Sequence, residues 1–300
     1  MDKRKCGNVR QVRAAYEFTF TSGREAGKNC ILVQNGALEV LFNKSNALDI
    51  SWVKYKGVNI SFLSKDGLNP GICDFVGNFE GGFLYTCGMD SVSTCVAGKP
   101  MHGSMHYMPA DNVAVSYEGD AVIVSGDIRE AALFGKNLVL HRRYTVSENG
   151  ITIYDTVENA GFLPTDYVLL YHVNYGYPFL DECLKMEFDV AKTDARTDSA
   201  IRRFGERFSI TYPIDKNDED VYYHTMNTGK VKLENPSLNI GVTMLYDAKD
   251  FPITLEWKSM TSGDYALGIE PSLTAFGEDF KMRSLSAGET KNYKIEIQFS

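Results

Sequence analysis

Apolar and polar residues alternate along much of the chain, and short turn sequences interrupt the alternation. The clearest alternating stretches are residues 31–42, 113–128, 137–159 and 239–247. Three of them contain a dipeptide that suits tight hairpin turns with positive φ: Asn35-Gly36, Gly119-Asp120 and Asn149-Gly150. We find no long stretch with the 3.6-residue period of an amphipathic helix. The pattern therefore predicts an all-β fold with few helices, in which antiparallel sheets pack as a large β-sandwich.

The length of the chain is compatible with one large domain or two ordinary ones. It has 300 residues, of which 44% are hydrophobic, so it can bury a large core. The polar stretch 189–220 is either a linker between two halves or an excursion from one sandwich. Because strands of the same character lie on both sides of it, we favour the excursion and expect a single domain over residues 1–300.

Charge and hydropathy argue against two classes of partner. The formal net charge is -8, and no cluster of Lys or Arg follows the first five residues. We expect no nucleic-acid partner, because neutralising phosphates needs a concentrated cationic surface. The sequence has no run of 18 uncharged apolar residues and no apolar segment after its basic start. We therefore expect no membrane association and no export signal, which predicts a cytoplasmic location.

The cysteines are scattered along the chain without CxxC spacing. They are Cys6, Cys30, Cys73, Cys87, Cys95 and Cys183. A chain of this length does not need disulfide bonds to hold its core, so we expect free thiols.

A histidine and an asparagine stand two residues apart in the aromatic run YHVNYGYP, residues 171–178. In an extended strand His172 and Asn174 share one face, while the tyrosines share the other and pack. Gly176 removes a side chain where the polar face would otherwise be covered. Taken alone, a histidine such as His172 is more often a core residue, satisfied by a backbone carbonyl or by Asn174, than a functional group.

Three other segments carry polar candidates. Asp90, His102 and His106 lie in the loop-like segment 86–110, which is rich in glycine and methionine. The two histidines have the i, i+4 spacing of metal ligands on a helix, but a glycine and a proline in the segment argue against a helix. We expect neither a metal nor a cofactor.

The other two segments lie near the C-terminus. In LEWKSM, Trp257 offers a flat apolar face to a ring-shaped ligand and Lys258 a donor, although a single tryptophan in a strand is more often core. In YALGIEPSL, Glu270 ends an apolar strand, and the following proline holds it in an extended conformation. Glu270 and His172 would form an acid–base pair if the fold brings them together, because burial and mutual proximity move both pKa values toward neutrality. Glycine-rich nucleotide motifs and GxSxG are missing, so nucleotide and serine-nucleophile chemistry have no support.

The segments TCGMD, MHG, ALFG, LLYHVNYGYPFLDE, WK and GIEPS occur in this order. Through them the chain, from about residue 30 to its C-terminus, resembles a divergent subgroup of the aldose 1-epimerase (galactose mutarotase-like) family. The resemblance implies a large antiparallel sandwich of the galactose mutarotase type. It also implies an enzyme that interconverts the α and β anomers of a monosaccharide by opening and reclosing the ring, without a cofactor.

The resemblance also implies roles for residues. His172 would be the acid toward the ring oxygen, Glu270 the base toward the anomeric hydroxyl, and His102 a substrate-binding residue near the ring oxygen. The remaining expected substrate-binding residues are Asp90, Asn174, His224, Trp257 and Lys258. Two arginines of the subgroup are missing, since Asn46, Ala47 and Ser104 occupy those segments. We therefore expect a pocket without fixed positive charge that prefers a neutral monosaccharide over its acidic derivatives.

Two alternatives remain open. One is a non-catalytic carbohydrate-binding protein of the same fold, and the other is an isomerase or lyase acting on sugar phosphates or uronates, because a fold does not fix its chemistry. Retention of both His172 and Glu270 favours catalysis. Either a monomer or a homodimer is compatible with the sequence.

Overall fold

β-Strands dominate the computed structural model, which describes residues 4–68 and 75–300. The first sheet contains β1 (Arg13–Thr19), β2 (Asn29–Asn35), β3 (Leu38–Asn43), β4 (Asp49–Tyr55) and β5 (Val58–Asn59). A small pair is formed by β6 (Phe62–Leu63) and β7 (Gly81–Gly82).

The second sheet contains β8 (Leu84–Met89), β9 (Ala110–Glu118), β10 (Ala121–Ala131), β11 (Asn137–Val146), β12 (Gly150–Asn159), β13 (Thr165–Gly176), β14 (Lys185–Ala195), β15 (Asp220–Asn235), β16 (Ile240–Tyr246), β17 (Ile253–Thr261), β18 (Asp264–Ser272), β19 (Arg283–Leu285) and β20 (Thr290–Phe299).

The helices are α1 (Phe75–Asn78), α2 (Asp198–Arg202) and four short 3₁₀ segments, Val9–Gln11, Met105–Tyr107, Phe204–Glu206 and Gly277–Asp279. The predicted all-β class with few helices is confirmed.

Antiparallel pairing connects the strands of every sheet. The first sheet has the order β1-β2-β3-β4-β5, and the second follows the path β19-β13-β18-β17-β15-β16-β20-β12-β11-β10-β9, with β8 beside β13 and β14 beside β15. The long strand β15 joins the two halves of this path. Its beginning pairs with β17 and its end with β16, so one strand belongs to both halves of the sheet.

The predicted hairpins are confirmed. Asn35 ends β2 and Gly36 follows in the turn to β3, Gly119 and Asp120 connect β9 to β10, and the turn from β11 to β12 ends at Gly150. Each turn reverses the chain between strands that bury one face, as alternation requires.

The core lies between the two sheets and contains rings from both. Phe42 of β3 meets Tyr144 of β11 with ring centroids 4.7 Å apart, and Tyr55 of β4 meets Phe299 of β20 at 5.5 Å. These contacts between distant parts of the chain bury the apolar faces that the alternation predicted.

A fully buried ionic network crosses the same core. Arg142 of β11 donates from Nη1 to Asp49 Oδ1 in β4 (2.6 Å) and from Nη2 to Asp155 Oδ2 in β12 (2.6 Å). Tyr171 of β13 donates to Asp155 Oδ2 at 2.7 Å, and His106 Nδ1 lies 2.8 Å from Asp49 Oδ2. The network ties strands of both sheets to β13.

The stretch 189–220 is less irregular than its composition predicted, because it contains the end of β14 and all of α2. The five described cysteines form no disulfide, and Cys73 lies outside the described residues. Within residues 4–68 and 75–300, we find no helix long and apolar enough to cross a membrane.

Candidate active site

Adjacent strands bring His172 and Glu270 together. The register of β13 and β18 pairs Val173 with Ile269 and Asn174 with Gly268, which places His172 opposite Glu270. Side chains that are opposite in an antiparallel pair lie on the same face. His172 Nε2 is 3.1 Å from Glu270 Oε1, and both side chains are buried. Two strand positions far apart in the sequence therefore bring two titratable side chains into contact.

Gly268 makes room for this pair. A Cβ at position 268 would lie 2.7 Å from Glu270 Oε1, 3.0 Å from His172 Cε1 and 3.2 Å from Trp257 Cε3. Each separation is shorter than ordinary van der Waals contact, so any other residue would displace the reactive side chains. The glycine of GIEP is thus part of the site, a role that the sequence motif alone did not indicate.

A cavity of about 350 Å³ opens above the pair. Its aromatic lining comes from Phe75, Phe79, Trp257 and Phe276. The Trp257 ring meets the His172 ring edge-on at a centroid distance of 5.5 Å, and Phe79 lies 5.8 Å from His172. The volume is within the range of small-molecule sites, and the flat apolar faces suit the C–H surface of a sugar ring.

His102 lines the same cavity, and two contacts with Ser93 hold it. The His102 amide donates to Ser93 O at 2.9 Å, and His102 Nδ1 accepts from Ser93 N at 3.3 Å. Burial, with a smaller contribution from the charge of Arg196, lowers the pKa of His102 to about 4. The ring is therefore neutral at pH 7, and since Nδ1 is an acceptor, its proton is on Nε2.

Burial also controls the protonation of the pair. It lowers the pKa of His172 well below its usual range, and the nearby His102 adds to the shift. It raises the pKa of Glu270 well above its usual range, with Glu219 adding to the shift and Arg196 opposing it. Both directions favour the uncharged forms, which are a neutral imidazole and a protonated carboxyl.

Arg196 and Glu219 form a charged wall of the cavity that sequence reasoning did not find. Trp257 Nε1 donates to Glu219 Oε2 at 2.8 Å, and the Arg196 guanidinium lies over the Phe276 ring, 5.2 Å from its centroid. The expectation of a cavity without fixed positive charge is therefore wrong. Both residues lie in the polar stretch 189–220, and no sequence pattern in that stretch predicts that they face the cavity.

Two expected substrate-binding residues lie outside the cavity lining and hold the surrounding backbone. Asp90 Oδ1 accepts from Ser104 N at 3.0 Å, and Asp90 Oδ2 lies 3.1 Å from Lys99 Nζ. Burial raises the pKa of Asp90, but these partners outweigh it, so the pKa is below its usual value. Asn174 donates from Nδ2 to His172 O at 3.2 Å and to Gly81 O at 3.4 Å.

Two further expected residues also face away from the cavity. His224 is buried between Thr193 Oγ1, 2.9 Å from its Nδ1, and Glu256 Oε2, 2.9 Å from its Nε2. Lys258 donates to Arg207 O at 2.6 Å and lies 3.5 Å from Glu256 Oε1. The structure thus brings together His172, Glu270, His102 and Trp257, and leaves Asp90, Asn174, His224 and Lys258 outside the lining.

His102 and His106 do not converge as metal ligands would. The His106 ring is stacked on Tyr85 with centroids 3.7 Å apart and contacts Asp49 in the core, whereas His102 faces the cavity. Among residues 4–68 and 75–300, no three His, Cys, Asp or Glu side chains cluster as metal ligands. That no metal is needed stays a prediction.

Proteins of known structure share this fold at low sequence identity. A candidate aldose 1-epimerase from Klebsiella pneumoniae subsp. pneumoniae matches with a TM-score of 0.85 and 16% identity, covering 96% of this chain and 88% of that one. A galactose mutarotase-like protein from Clostridium acetobutylicum matches with a TM-score of 0.75 and 15% identity, covering 97% and 99% of the two chains. One from Lactobacillus casei has a TM-score of 0.64 and 12% identity, covering 90% and 100%. At these identities the likeness shows a galactose mutarotase-like sandwich and nothing about activity.

Sequence comparison identifies the family. A search of curated proteins finds no significant match. The model of a domain of unknown function, DUF4432, matches residues 25–299. Since this match covers most of the chain, including every strand of the cavity, the protein belongs to the DUF4432 family.

Proposed function

We propose that the protein interconverts the α and β anomers of a monosaccharide by acid–base ring opening, as an aldose 1-epimerase does. The 3.1 Å contact between His172 Nε2 and Glu270 Oε1 carries this proposal. Two proton-transfer groups so close together can act on two neighbouring atoms of one substrate at once. The galactose mutarotase-like fold supports the same chemistry.

The single proton of the pair is sufficient for the reaction. Ring opening needs a base for the anomeric hydroxyl and an acid for the ring oxygen, and ring closure needs the reverse. When this proton lies on Glu270, the pair is in the state that follows ring opening. Transfer of the proton to His172 across the short contact gives the state that acts on the closed pyranose, so turnover needs no net proton uptake.

The steps then follow from the geometry. The Glu270 carboxylate accepts the anomeric hydroxyl proton while the His172 imidazolium donates a proton to the ring oxygen, and the bond from C1 to the ring oxygen breaks. Rotation about the C1–C2 bond presents the other face of the new carbonyl. The two groups then act in reverse, while His102 Nε2–H donates a hydrogen bond to the sugar.

A non-catalytic carbohydrate-binding protein is the second candidate, and the aromatic lining supports it. Trp257 and Phe79 would hold a sugar ring whether or not it reacts. The two candidates differ in one measurable respect, because binding without catalysis leaves the rate of anomer exchange at its value in buffer.

Anomer exchange by NMR or polarimetry, over a panel of hexoses, pentoses, deoxy sugars and acidic sugars, tests the proposal. We expect exchange of at least one sugar to be accelerated, and His172→Asn and Glu270→Gln each to remove most of the acceleration. A positioned proton transfer contributes roughly 10²–10⁴-fold, so the expected loss is of that order.

The control is His141→Asn, since His141 is half exposed and pairs with Asp127 and Glu158 far from the cavity. This variant should exchange anomers at the wild-type rate. If His172→Asn or Glu270→Gln keeps the wild-type rate with an unchanged melting temperature, the pair is not the catalytic device. If no sugar of the panel is exchanged but some bind, the carbohydrate-binding function is correct.

A further inference from the structure

We propose that Arg196 recognises an anionic substituent, a carboxylate or a phosphate, on the substrate of this site. The inference rests on the proposed function, because it assigns the substrate class of the same cavity. It replaces the neutral sugar that the sequence favoured. Three observations carry it. The backbone of Arg196 is fixed by hydrogen bonds, its guanidinium N–H groups bind no acceptor among the described residues, and it is the one permanently cationic side chain among the described residues that line the cavity.

The backbone of Arg196 is held at the cavity wall. Arg196 N donates to Val221 O at 2.8 Å, at the start of β15. The next residue, Thr197, donates from Oγ1 to Glu219 O at 3.1 Å and accepts from Val221 N at 3.2 Å. Arg196 and Glu219, the two residues of the charged wall, are thus fixed side by side by one short set of hydrogen bonds.

The guanidinium has donors to offer. Its Cζ lies over the Phe276 ring, 5.2 Å from the centroid, and this cation–π contact is not one of the hydrogen bonds that its N–H groups can make to an oxygen acceptor. Within residues 4–68 and 75–300, no carboxylate lies within ion-pair distance of it and no side-chain or backbone acceptor binds it. A planar fork of donors at a cavity wall matches the paired oxygens of a carboxylate or phosphate.

Arg196 is the one permanently cationic side chain among the described residues that line the cavity. His102, His172 and Glu270 are driven by burial toward their uncharged forms. Glu219 is the acidic residue of the wall, and its Oε2 accepts from the Trp257 indole at 2.8 Å. Arg196 makes no ion pair with a described carboxylate, so an anionic substituent beside it would complete one.

Binding and exchange measurements on matched sugars test the proposal. Each set contains a neutral hexose, its uronate and its 6-phosphate, in the gluco, galacto and manno series. Calorimetry gives affinity, and NMR gives kcat and KM for anomer exchange. The uronate and phosphate arms distinguish the two anionic substituents.

The variants are Arg196→Gln, Arg196→Lys and a matched control, Arg202→Gln. Arg202 is exposed on α2, pairs with Asp218 at 3.5 Å and does not line the cavity. The control therefore removes the same charge six residues away without touching the cavity. Arg196→Lys keeps the charge but loses the planar fork.

We expect one anionic member of a set to bind at least tenfold more tightly than its neutral parent, which corresponds to about 1.4 kcal/mol. Arg196→Gln should remove that preference through KM while leaving the affinity for the neutral sugar within about twofold. Arg196→Lys should restore part of the preference, and Arg202→Gln should retain all of it. Added salt should weaken the binding of the anionic sugar alone.

Equal or tighter binding of the neutral member in every set would overturn the proposal. So would an Arg196→Gln variant that weakens neutral and anionic sugars alike, since that result indicates a donor for hydroxyl groups. The proposed function fails separately. If the protein binds the anionic sugar selectively but exchanges no anomers, Arg196 has the assigned role and the protein lacks the proposed isomerase activity.

Discussion

At the scale of single residues, the site depends as much on a missing side chain as on those present. Gly268 lies on the same face of β18 as Glu270, and the space a methyl group would take is occupied by the His172–Glu270 contact and by Trp257. The nearest atom to a Cβ here is the flexible end of Glu270, which can move at little cost in stability. The cost of a side chain should therefore appear in the chemistry and not in the fold.

We expect Gly268→Ala to reduce anomer exchange at least tenfold while changing the melting temperature little, because the methyl group pushes the Glu270 carboxylate away from His172. Exchange kinetics and thermal unfolding of the same preparation measure the two effects. Gly205→Ala is the matched control, since no atom lies within 4 Å of a Cβ at position 205. Retention of full activity by Gly268→Ala would show that the 3.1 Å contact is not needed.

A second residue prediction concerns acid stability. The pKa of His102 is about 4 in the folded protein against 6.5 in the unfolded chain, so between these values the unfolded state binds more protons. Stability contributed by neutral His102 is therefore lost as the pH falls from 6.5 toward 4. The loss is about 3 kcal/mol at most. His102→Gln should flatten this part of the profile of unfolding free energy against pH.

Urea unfolding between pH 9 and pH 4 measures the effect, and His141→Gln provides a control whose effect has the opposite sign and falls above pH 6.5. Burial lowers the pKa of His141, but the hydrogen bonds that it donates to Glu158 and Asp127 outweigh this effect, so the pKa is raised. The stability His141 contributes is full below pH 6.5 and lost as the pH rises through the raised pKa. Parallel profiles for wild type and His102→Gln would contradict the assignment of a buried neutral ring.

At the scale of elements, the stretch 189–220 carries the charged wall because both of its ends are anchored to the cavity. Thr197 is the N-cap of α2, and its Oγ1 accepts from Ala200 N at 3.2 Å as well as from Val221 N. One hydroxyl thus begins a helix and holds the start of β15. A five-residue helix has little stability of its own, so this cap matters more than its length suggests.

We expect Thr197→Ala to lower the free energy of unfolding by about 1–2 kcal/mol, because it removes a helix cap and the hydrogen bond to Val221 N. Thr197→Ser keeps the hydroxyl and should remain close to wild type. Urea denaturation measures the stability, and amide hydrogen exchange should accelerate at Ala200 and Val221 in the alanine variant. Unchanged exchange at these two amides would show that the hydroxyl does not hold the segment.

Strand parity explains which site residues the sequence could place and which it misplaced. Neighbouring residues of a strand point to opposite faces. Because Trp257 faces the cavity, Lys258 must face away from it. The sequence alone was therefore enough to show that these two residues cannot both line one cavity. His224 is likewise out of phase with Val221, which lines the cavity. Asn174 has the parity of His172, but the approach of Gly81 O covers it, and only the folded chain shows that contact.

For the other features, the sequence predicted those that depend on local patterns and missed those that depend on contacts between distant segments. Alternation and turn dipeptides are local, so they predicted the strands and hairpins correctly. The register of β13 with β18, which joins His172 to Glu270, depends on pairing between distant segments, and the sequence provided only the two residue types. Arg196 lies in a polar stretch with no periodic signal, so its position depends on how the two ends of that stretch are anchored.

At the scale of the whole molecule, the two sheets are joined by ionic as well as apolar contacts. Arg142 contacts Asp49 in the first sheet and Asp155 in the second, and all three side chains are fully buried. A buried charge that loses its partner is costly, so this network restricts how the sheets can pack on one another. Tyr171 of β13 donates to Asp155 Oδ2 in the same network and so connects this packing to the strand that carries His172.

We expect Arg142→Met to lower the free energy of unfolding by about 3–5 kcal/mol, because it leaves the Asp49 and Asp155 carboxylates buried without their cation. Arg143→Met is the matched control on the same strand. Its partner Glu118 is exposed, so the expected loss is below about 1 kcal/mol. Similar losses in both variants would mean that the buried network does not join the sheets.

The anchoring of residues 196 and 219 has a consequence for how such a protein can diversify. The His172–Glu270 contact is held by interior strands, whereas the charged wall is carried by the two ends of one surface excursion. The segment between these ends can be shortened, lengthened or replaced without changing the register of β13 and β18. Such a change can alter which ligand is preferred. Ligand preference and reaction chemistry can therefore evolve, or be engineered, on separate stretches of a single gene.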